Sequence, residues 1–109
     1  MTMSYRDLEP TDAQQELSED PQIRLLDVRT QPEHDSHRLD GATLVPVQEL
    51  TQRVGELDPQ AQWFVYCEHG VRSIAACEFL ADAGFQKLTN IRGGMAHWAN
   101  QGLPFVRGR

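Results

Sequence analysis

The sequence predicts an α/β domain with a mainly parallel sheet and helices on both faces of that sheet. Short apolar runs alternate along the chain with segments whose apolar residues recur at helical spacing. Gly84 and Gly102 follow two of the helical segments, where glycine commonly ends a helix. Strands that alternate with helices favour parallel pairing, because a parallel pair needs a long crossover connection that is usually helical.

In the first half of the chain the predicted elements are short. Residues 4–6 are predicted as a first strand and residues 11–18 as the first helix. The run at 23–28 predicts a second strand, because Val, Ile and Leu suit a strand that is covered on both faces. A helix at 32–37 and a strand at 43–47 are predicted to follow.

The second half of the chain carries the clearest strand signal. After a predicted helix at 47–54, the Trp-Phe-Val-Tyr run at 63–66 predicts a buried strand, since all four residues are apolar or aromatic. A helix is predicted at 73–83, where it stops before a glycine. A strand at 87–91 and a helix at 94–101 complete the predicted order.

Length and composition predict one ordinary globular domain, residues 1–109, with 39% hydrophobic and 24% charged residues. The net charge of −6 argues against nucleic acid or an anionic membrane as the main partner. No apolar run approaches the ~20 residues that cross a bilayer. The first ten residues are polar and acidic, unlike a secretion signal, so we expect a cytoplasmic location.

The chain has two cysteines, Cys67 and Cys77. A disulfide is not expected in a reducing compartment. Their spacing is not a zinc signature, and neither is the pair His34 and His37 without further ligands, so we predict no metal site. Cys77 lies among apolar residues of a predicted helix and is expected in the core, although it could also act as a resolving thiol for Cys67.

Cys67 stands between a predicted buried strand and the start of a predicted helix, with Gly70 in the loop and Arg72 at the helix start. Loop amides, the positive end of the helix and the guanidinium all favour the thiolate over the thiol. Gly70 suits a loop with unusual backbone angles or a close approach to a ligand. These features predict an anion-binding cradle with a nucleophile at its base. The alternative is a cysteine that simply ends a buried strand.

Several segments of the chain, in order and spacing, resemble the rhodanese family of sulfurtransferases over nearly the whole length. They are LLDVR at 25–29, HRLDGA at 37–42, CEHGVR at 67–72, and the closing pattern of Gly84-Phe85, Gly93-Gly94 and Trp98. Asp40 stands where the family normally has proline. The resemblance implies a three-layer α/β/α fold, rhodanese-like, with a five-stranded, mainly parallel sheet.

The resemblance also implies a two-step transfer that needs no cofactor. The Cys67 thiolate attacks the outer sulfur of a donor, thiosulfate or a persulfide, and becomes a persulfide. A thiol or cyanide acceptor then takes the sulfur. The amides of the loop would hold the persulfide and so form the substrate-binding set: Glu68, His69, Gly70, Val71, Arg72 and Ser73.

The length of the loop favours sulfur over phosphorus. Phosphatase loops of this type place five residues between cysteine and arginine, including a branch that resembles the rhodanese fold. Here four residues separate Cys67 from Arg72, and a smaller ring of amides suits one sulfur atom better than a phosphate. The alternatives are a phosphatase or arsenate reductase on the same fold, and a non-catalytic docking or sulfur-sensing module.

Charged residues near the predicted site are expected to support it. Asp27 and Arg29 are predicted to form a buried or half-buried pair that shapes the floor below the loop. Arg72 either stabilises the substrate and the persulfide or fixes the loop through backbone carbonyls. His69 either titrates beside the thiolate or contributes only its backbone, and His37 is expected to hydrogen-bond at a turn.

Two carboxylates bear on the choice of donor. Glu68 lies beside the nucleophile, where thiosulfate-using members of the family often carry positive charge. Glu33 stands where some of those enzymes have arginine. Both residues disfavour the thiosulfate dianion and favour a persulfide carried by a small thiol or by a partner protein.

Overall fold

The computed structural model describes residues 4–108, so the ends of the predicted domain, at residues 1–3 and 109, lie outside the described residues. The strands in this part of the chain are β1 (Arg6–Leu8), β2 (Arg24–Asp27), β3 (His37–Arg38), β4 (Thr43–Leu44), β5 (Trp63–Tyr66), β6 (Leu88–Ile91) and β7 (Val106–Arg107). The α-helices are α1 (Pro10–Glu19), α2 (Gln31–Ser36), α3 (Leu50–Arg53), α4 (Val71–Asp82) and α5 (Gly94–Asn100).

The central sheet has, within residues 4–108, five strands in the order β1-β6-β5-β2-β4, and every pairing is parallel. β5 lies in the middle, with Asp27 opposite Tyr66 in the register of β2 and β5. The carboxyl ends of all these strands therefore meet at one edge, where α/β folds form their sites. The predicted mainly parallel sheet is confirmed.

Helices cover both faces of the sheet, as predicted. The side chains of β5 alternate between the faces: Trp63 and Val65 join a core cluster with α3 and α4, while Phe64 and Tyr66 join another with α1 and α5. Since the two clusters lie on opposite faces of one sheet, the domain has three layers. None of the helices among residues 4–108 combines the length and apolar character that crossing a bilayer requires.

The first strand lies two residues later than the predicted 4–6. β1 pairs with β6 from Arg6 opposite Thr89 to Leu8 opposite Ile91. Its outward polar groups also find partners, because Asp7 accepts a hydrogen bond from Asn90 at 2.8 Å. Because β1 is largely polar, no apolar run marks where this strand begins and ends.

The region from 43 to 56 departs most from the predicted elements. β4 ends at Leu44 rather than at residue 47. The Val45 amide still donates to the Asp27 carbonyl, but the Arg29 amide donates to the Asp27 side chain and Val47 donates to Val28, so the regular ladder stops there. The predicted helix at 47–54 is a 3₁₀ turn (Val47–Glu49), the short α3 and a second 3₁₀ turn (Val54–Glu56).

Two further strands form a small antiparallel ribbon that the sequence did not predict. His37 pairs with Arg107 and Arg38 with Val106. The predicted helix at 32–37 therefore ends one residue earlier, at Ser36. α4 begins at Val71, two residues before the predicted start, so its first turn follows directly on the loop after Cys67.

Candidate active site

The loop after β5 places Cys67 at the carboxyl edge of the central sheet. Cys67 follows Tyr66, the last residue of the strand, and α4 begins at Val71. Gly70 turns the chain with a φ of 94°, in the left-handed region that glycine adopts most readily. A Cβ added to Gly70 would lie 3.2 Å from the amide nitrogen of Gly93, so the two loops also approach each other closely.

Two backbone amides and one hydroxyl group contact the sulfur of Cys67. The amide of Gly70 donates to Sγ at 3.1 Å, and the amide of Ser73 donates to it at 3.3 Å. The Ser73 hydroxyl lies 3.4 Å from Sγ, where it can accept from a thiol or donate to a thiolate. Both amides belong to the loop end or the first turn of α4, so the helix dipole adds to their effect on the anion.

The carbonyl groups of the same loop point away from the sulfur and towards α5. The amide of Met95 donates to the Cys67 carbonyl at 2.8 Å, and that of Ala96 donates to the Glu68 carbonyl at 3.0 Å. A Cβ at Gly94 would overlap the backbone oxygens of Cys67 and Glu68. α5 therefore fixes the loop in the orientation that leaves its amides to the sulfur of Cys67, and this contact needs glycine at position 94.

Asp27 and Arg29 are paired below the loop, and both side chains are fully buried. Arg29 Nε and Nη2 donate to the Asp27 carboxylate at 3.0 Å and 2.8 Å, and Nη2 also donates to the His37 carbonyl at 2.6 Å. Burial opposes the charge on the guanidinium, but the hydrogen bonds and charge of Asp27 prevail and raise the pKa of Arg29. The pair is thus a fixed charged support, and the remaining arginine nitrogen reaches Glu68.

Tyr66 and His34 also contact the Asp27 carboxylate. The sequence did not predict either contact. The Tyr66 hydroxyl donates to Asp27 at 3.2 Å and accepts from the Leu39 amide at 3.1 Å. Burial, followed by the charge of Asp27, raises the pKa of Tyr66. His34 Nδ1 lies 2.9 Å from the same carboxylate. The position of Tyr66 directly before Cys67 was the signal available in the sequence.

Within residues 4–108, Arg72 does not fix the loop through backbone carbonyls, and its contact with a substrate or persulfide stays a prediction. Its guanidinium forms a two-pronged ion pair with Glu33 on α2, with N–O distances of 2.8 Å and 2.9 Å. Hydrogen bonding to Arg72 lowers the pKa of Glu33 to about 2 against the opposing effect of burial, and Thr30 contributes through its backbone and side chain. Glu33 also closes a capping box with Thr30 at the start of α2, which fixes its direction.

The other loop residues differ in exposure. Glu68 is partly buried, and its carboxylate pairs with Arg29 at 3.0 Å. His69 is exposed, and Val71 is 77% exposed. Gly70, Ser73 and Cys67 are buried, so a donor that reaches the sulfur must approach over the exposed part of the loop.

Cys77 lies in the core, as expected. Burial raises the pKa of Cys77 to about 12, and the charges of Asp7, Cys67 and Glu78 add to the rise. A thiol that stays protonated near neutral pH is a poor nucleophile, which argues against a resolving role. Both cysteines are free in the structure.

A family model described as a rhodanese-like domain matches residues 9–101, which include the whole of this site. The chain belongs to the rhodanese-like family. The resemblance carried by the motifs is therefore confirmed, together with the α/β fold that it implied.

Relatives and solved structures of this rhodanese-like chain agree with that membership. A protein named sulfurtransferase from Allochromatium vinosum is 33% identical over 84% of this chain and 86% of its own. A putative sulfur carrier protein from Bacillus subtilis is 29% identical over 80% of this chain, which covers 47% of that relative. The crystal structure of a rhodanese-related protein from Thermoplasma volcanium superposes with a TM-score of 0.86 at 29% identity, covering 94% of this chain and 98% of that one.

Proposed function

We propose that this rhodanese-like chain is a sulfurtransferase that carries a sulfane sulfur on Cys67 as a persulfide. The observation that supports it best is the pair of amide hydrogen bonds to Sγ, from Gly70 at 3.1 Å and from Ser73 at 3.3 Å. An anion at this sulfur meets donors that are already oriented, so no reorganisation is needed when the charge develops.

The first half of the reaction loads the nucleophile. The Cys67 thiolate attacks the outer sulfur of the donor, a new S–S bond forms, and the S–S bond of the donor breaks. The leaving group keeps the electron pair of that bond: sulfite leaves from thiosulfate, and a thiolate leaves from a persulfide. In the second half, a thiol or cyanide attacks the outer sulfur of the Cys67 persulfide and restores the thiolate.

The rest of the loop is proposed to hold the outer sulfur once it is attached. The Gly70 and Ser73 amides already face Sγ. We propose that further amides of the loop hold a sulfur atom attached to it. The substrate-binding residues are therefore proposed to be Glu68, His69, Gly70, Val71, Arg72 and Ser73. Asp27 and Arg29 support them from below through the Arg29 contact with Glu68.

The proposed donors and acceptors are small sulfur compounds, and a protein that carries a persulfide is a further candidate donor. A relative named as a putative sulfur carrier protein supports such an exchange between proteins. Residues 1–109 are proposed to work as one domain in a reducing compartment such as the cytoplasm, where the two free cysteines would stay reduced.

Thiocyanate formation from thiosulfate or a persulfide donor and cyanide tests the proposal. We expect transfer by the parent and by Cys77→Ser, and a loss of at least a hundredfold in Cys67→Ser, because the nucleophile is then gone. An aryl phosphate assayed in parallel tests the phosphatase alternative. Hydrolysis of the phosphate without sulfur transfer would reject the proposal, as would undiminished transfer by Cys67→Ser.

A further inference from the structure

The ion pair between Glu33 and Arg72 lies near the sulfur of Cys67. Hydrogen bonding to Glu33 raises the pKa of Arg72, and the nearby charge of Cys67 adds to the rise. Glu33 belongs to the first turn of α2 and Arg72 to the first turn of α4, and each side chain is 31% exposed. Both oxygens of the carboxylate contact the guanidinium, at 2.8 Å and 2.9 Å. Two-pronged pairing of this kind satisfies the face of arginine that would otherwise bind an anionic group of a substrate.

Both arginines near the sulfur have their charge compensated from within the protein. Arg29 pairs with Asp27 and with Glu68, and Arg72 pairs with Glu33. Three carboxylates thus face two guanidinium groups, an excess of one negative charge over these five side chains. Glu68 pairs with the buried Arg29. Glu33 is therefore the carboxylate that pairs with Arg72, the more exposed of the two arginines.

We propose that Glu33 determines donor specificity by occupying Arg72, so that Cys67 accepts sulfur from donors with at most one negative charge, such as alkyl persulfides, in preference to dianions such as thiosulfate. The inference rests on the proposed sulfurtransferase function and assigns its donor class. A sulfonate group must displace the Glu33 carboxylate to reach the guanidinium. An alkyl persulfide has no such group and leaves the ion pair in place.

Both donors react by the same displacement, so the difference lies in charge. Thiosulfate transfers its outer sulfur to the Cys67 thiolate and releases sulfite, which carries two negative charges out of the site. An alkyl persulfide transfers its outer sulfur and releases an alkyl thiolate, which carries one. Neither transfer needs an oxidant or a reductant, since the S–S bond that forms replaces the one that breaks.

Single-turnover loading of Cys67 measures the preference. The parent, Glu33→Gln and Glu16→Gln are each mixed with thiosulfate or with freshly prepared methyl persulfide, and the gain of one sulfur is followed by intact-protein mass spectrometry. Glu16 is a matched control, because it also pairs with both terminal nitrogens of an arginine, Arg6, on the far edge strand. Both variants change the net charge of the protein equally.

We expect Glu33→Gln to raise the second-order rate constant for thiosulfate about tenfold, since one opposing charge near a dianion is removed and Arg72 is released. The rate constant for methyl persulfide should change by less than about twofold on the same grounds. In Glu16→Gln, the ratio of the rate constants for thiosulfate and methyl persulfide should be the same as in the parent. An unchanged ratio in Glu33→Gln, with Cys67 still loaded, overturns the specificity role and leaves the proposed function standing.

A double-mutant cycle distinguishes two explanations: that Glu33 acts by pairing with Arg72, or that its charge simply repels thiosulfate. If Glu33 acts by occupying the guanidinium, Glu33→Gln in an Arg72→Gln background should give clearly less gain for thiosulfate than it gives in the parent. If Glu33→Gln raises the thiosulfate rate constant equally in both backgrounds, Glu33 does not act through Arg72 and that part of the proposal is overturned. If no form of the protein gains sulfur on Cys67 from either donor, the proposed function itself is rejected.

Discussion

Each charged side chain near Cys67 is paired with specific partners, and these partners determine how stable its charge is and whether a ligand can replace them. Asp27 collects hydrogen bonds from Arg29 and Tyr66 and has His34 beside it. A buried guanidinium is stable only with such compensation, because an unpaired charge of this kind costs several kcal/mol. The pairing of Arg72 with Glu33 is more exposed and therefore easier to exchange for a ligand.

The Glu33–Arg72 ion pair predicts how acid affects stability. The folded-state pKa of Glu33 is about 2, below the value of 4.5 that applies to an unpaired glutamate. Its contribution to the free energy of unfolding is therefore complete above pH 4.5 and is lost as the pH falls towards 2.

Urea unfolding of the parent and of Glu33→Gln, measured from about pH 6 down to about pH 2.5, checks this dependence. Near pH 6 the parent should have the larger free energy of unfolding. The difference in this free energy between the parent and Glu33→Gln should shrink as the pH falls. A difference that stays constant over this range would show that the Glu33 charge is not coupled to folding.

At the scale of elements, the site is a contact between two helix starts and the end of a strand. The first turn of α4 supplies an amide to the sulfur, while α5 binds the carbonyls of Cys67 and Glu68. Gly94 allows this approach, having a φ of 66° and no side chain to meet those oxygens. The double glycine of the sequence thus has a role in orienting the loop that follows Cys67.

Gly94→Ala should disturb both folding and sulfur loading. We expect a loss of about 3 kcal/mol or more in the free energy of unfolding, from left-handed backbone strain together with overlap of Cβ and the loop carbonyls. Gly102→Ala is the matched control, with a φ of 74° and open space around the added Cβ. It should cost only about 1–2 kcal/mol and leave loading of Cys67 intact. Equal losses in the two variants, measured by urea unfolding, would contradict the close-approach explanation.

At the scale of the whole molecule, sequence patterns predicted the features that depend on residues close together in the chain. The apolar run of β5 indicated a buried central strand, and the glycines after α4 and α5 indicated where those helices end. The order of the motifs then indicated the family and its parallel sheet. Cys67 could be identified as the nucleophile candidate because its signal lies within a few residues of the chain.

Contacts between distant parts of the chain could not be predicted in the same way. The ribbon of β3 and β7 pairs residues 37 and 107, and its strands are too short to show a period. Arg72 and Glu33 are 39 residues apart, so their pairing depends on how α2 and α4 pack around the sheet. Glu68 and Arg29 are also 39 residues apart, and they meet because β5 and β2 are neighbours, with Tyr66 opposite Asp27.

Mass spectrometry of the intact protein after treatment with a sulfur donor tests the persulfide most directly. The parent and Cys77→Ser should each gain one sulfur atom, cyanide should remove it, and Cys67→Ser should gain none. A parent that gains no sulfur from either thiosulfate or a persulfide, or a Cys67→Ser variant that gains it as readily as the parent, would contradict the account.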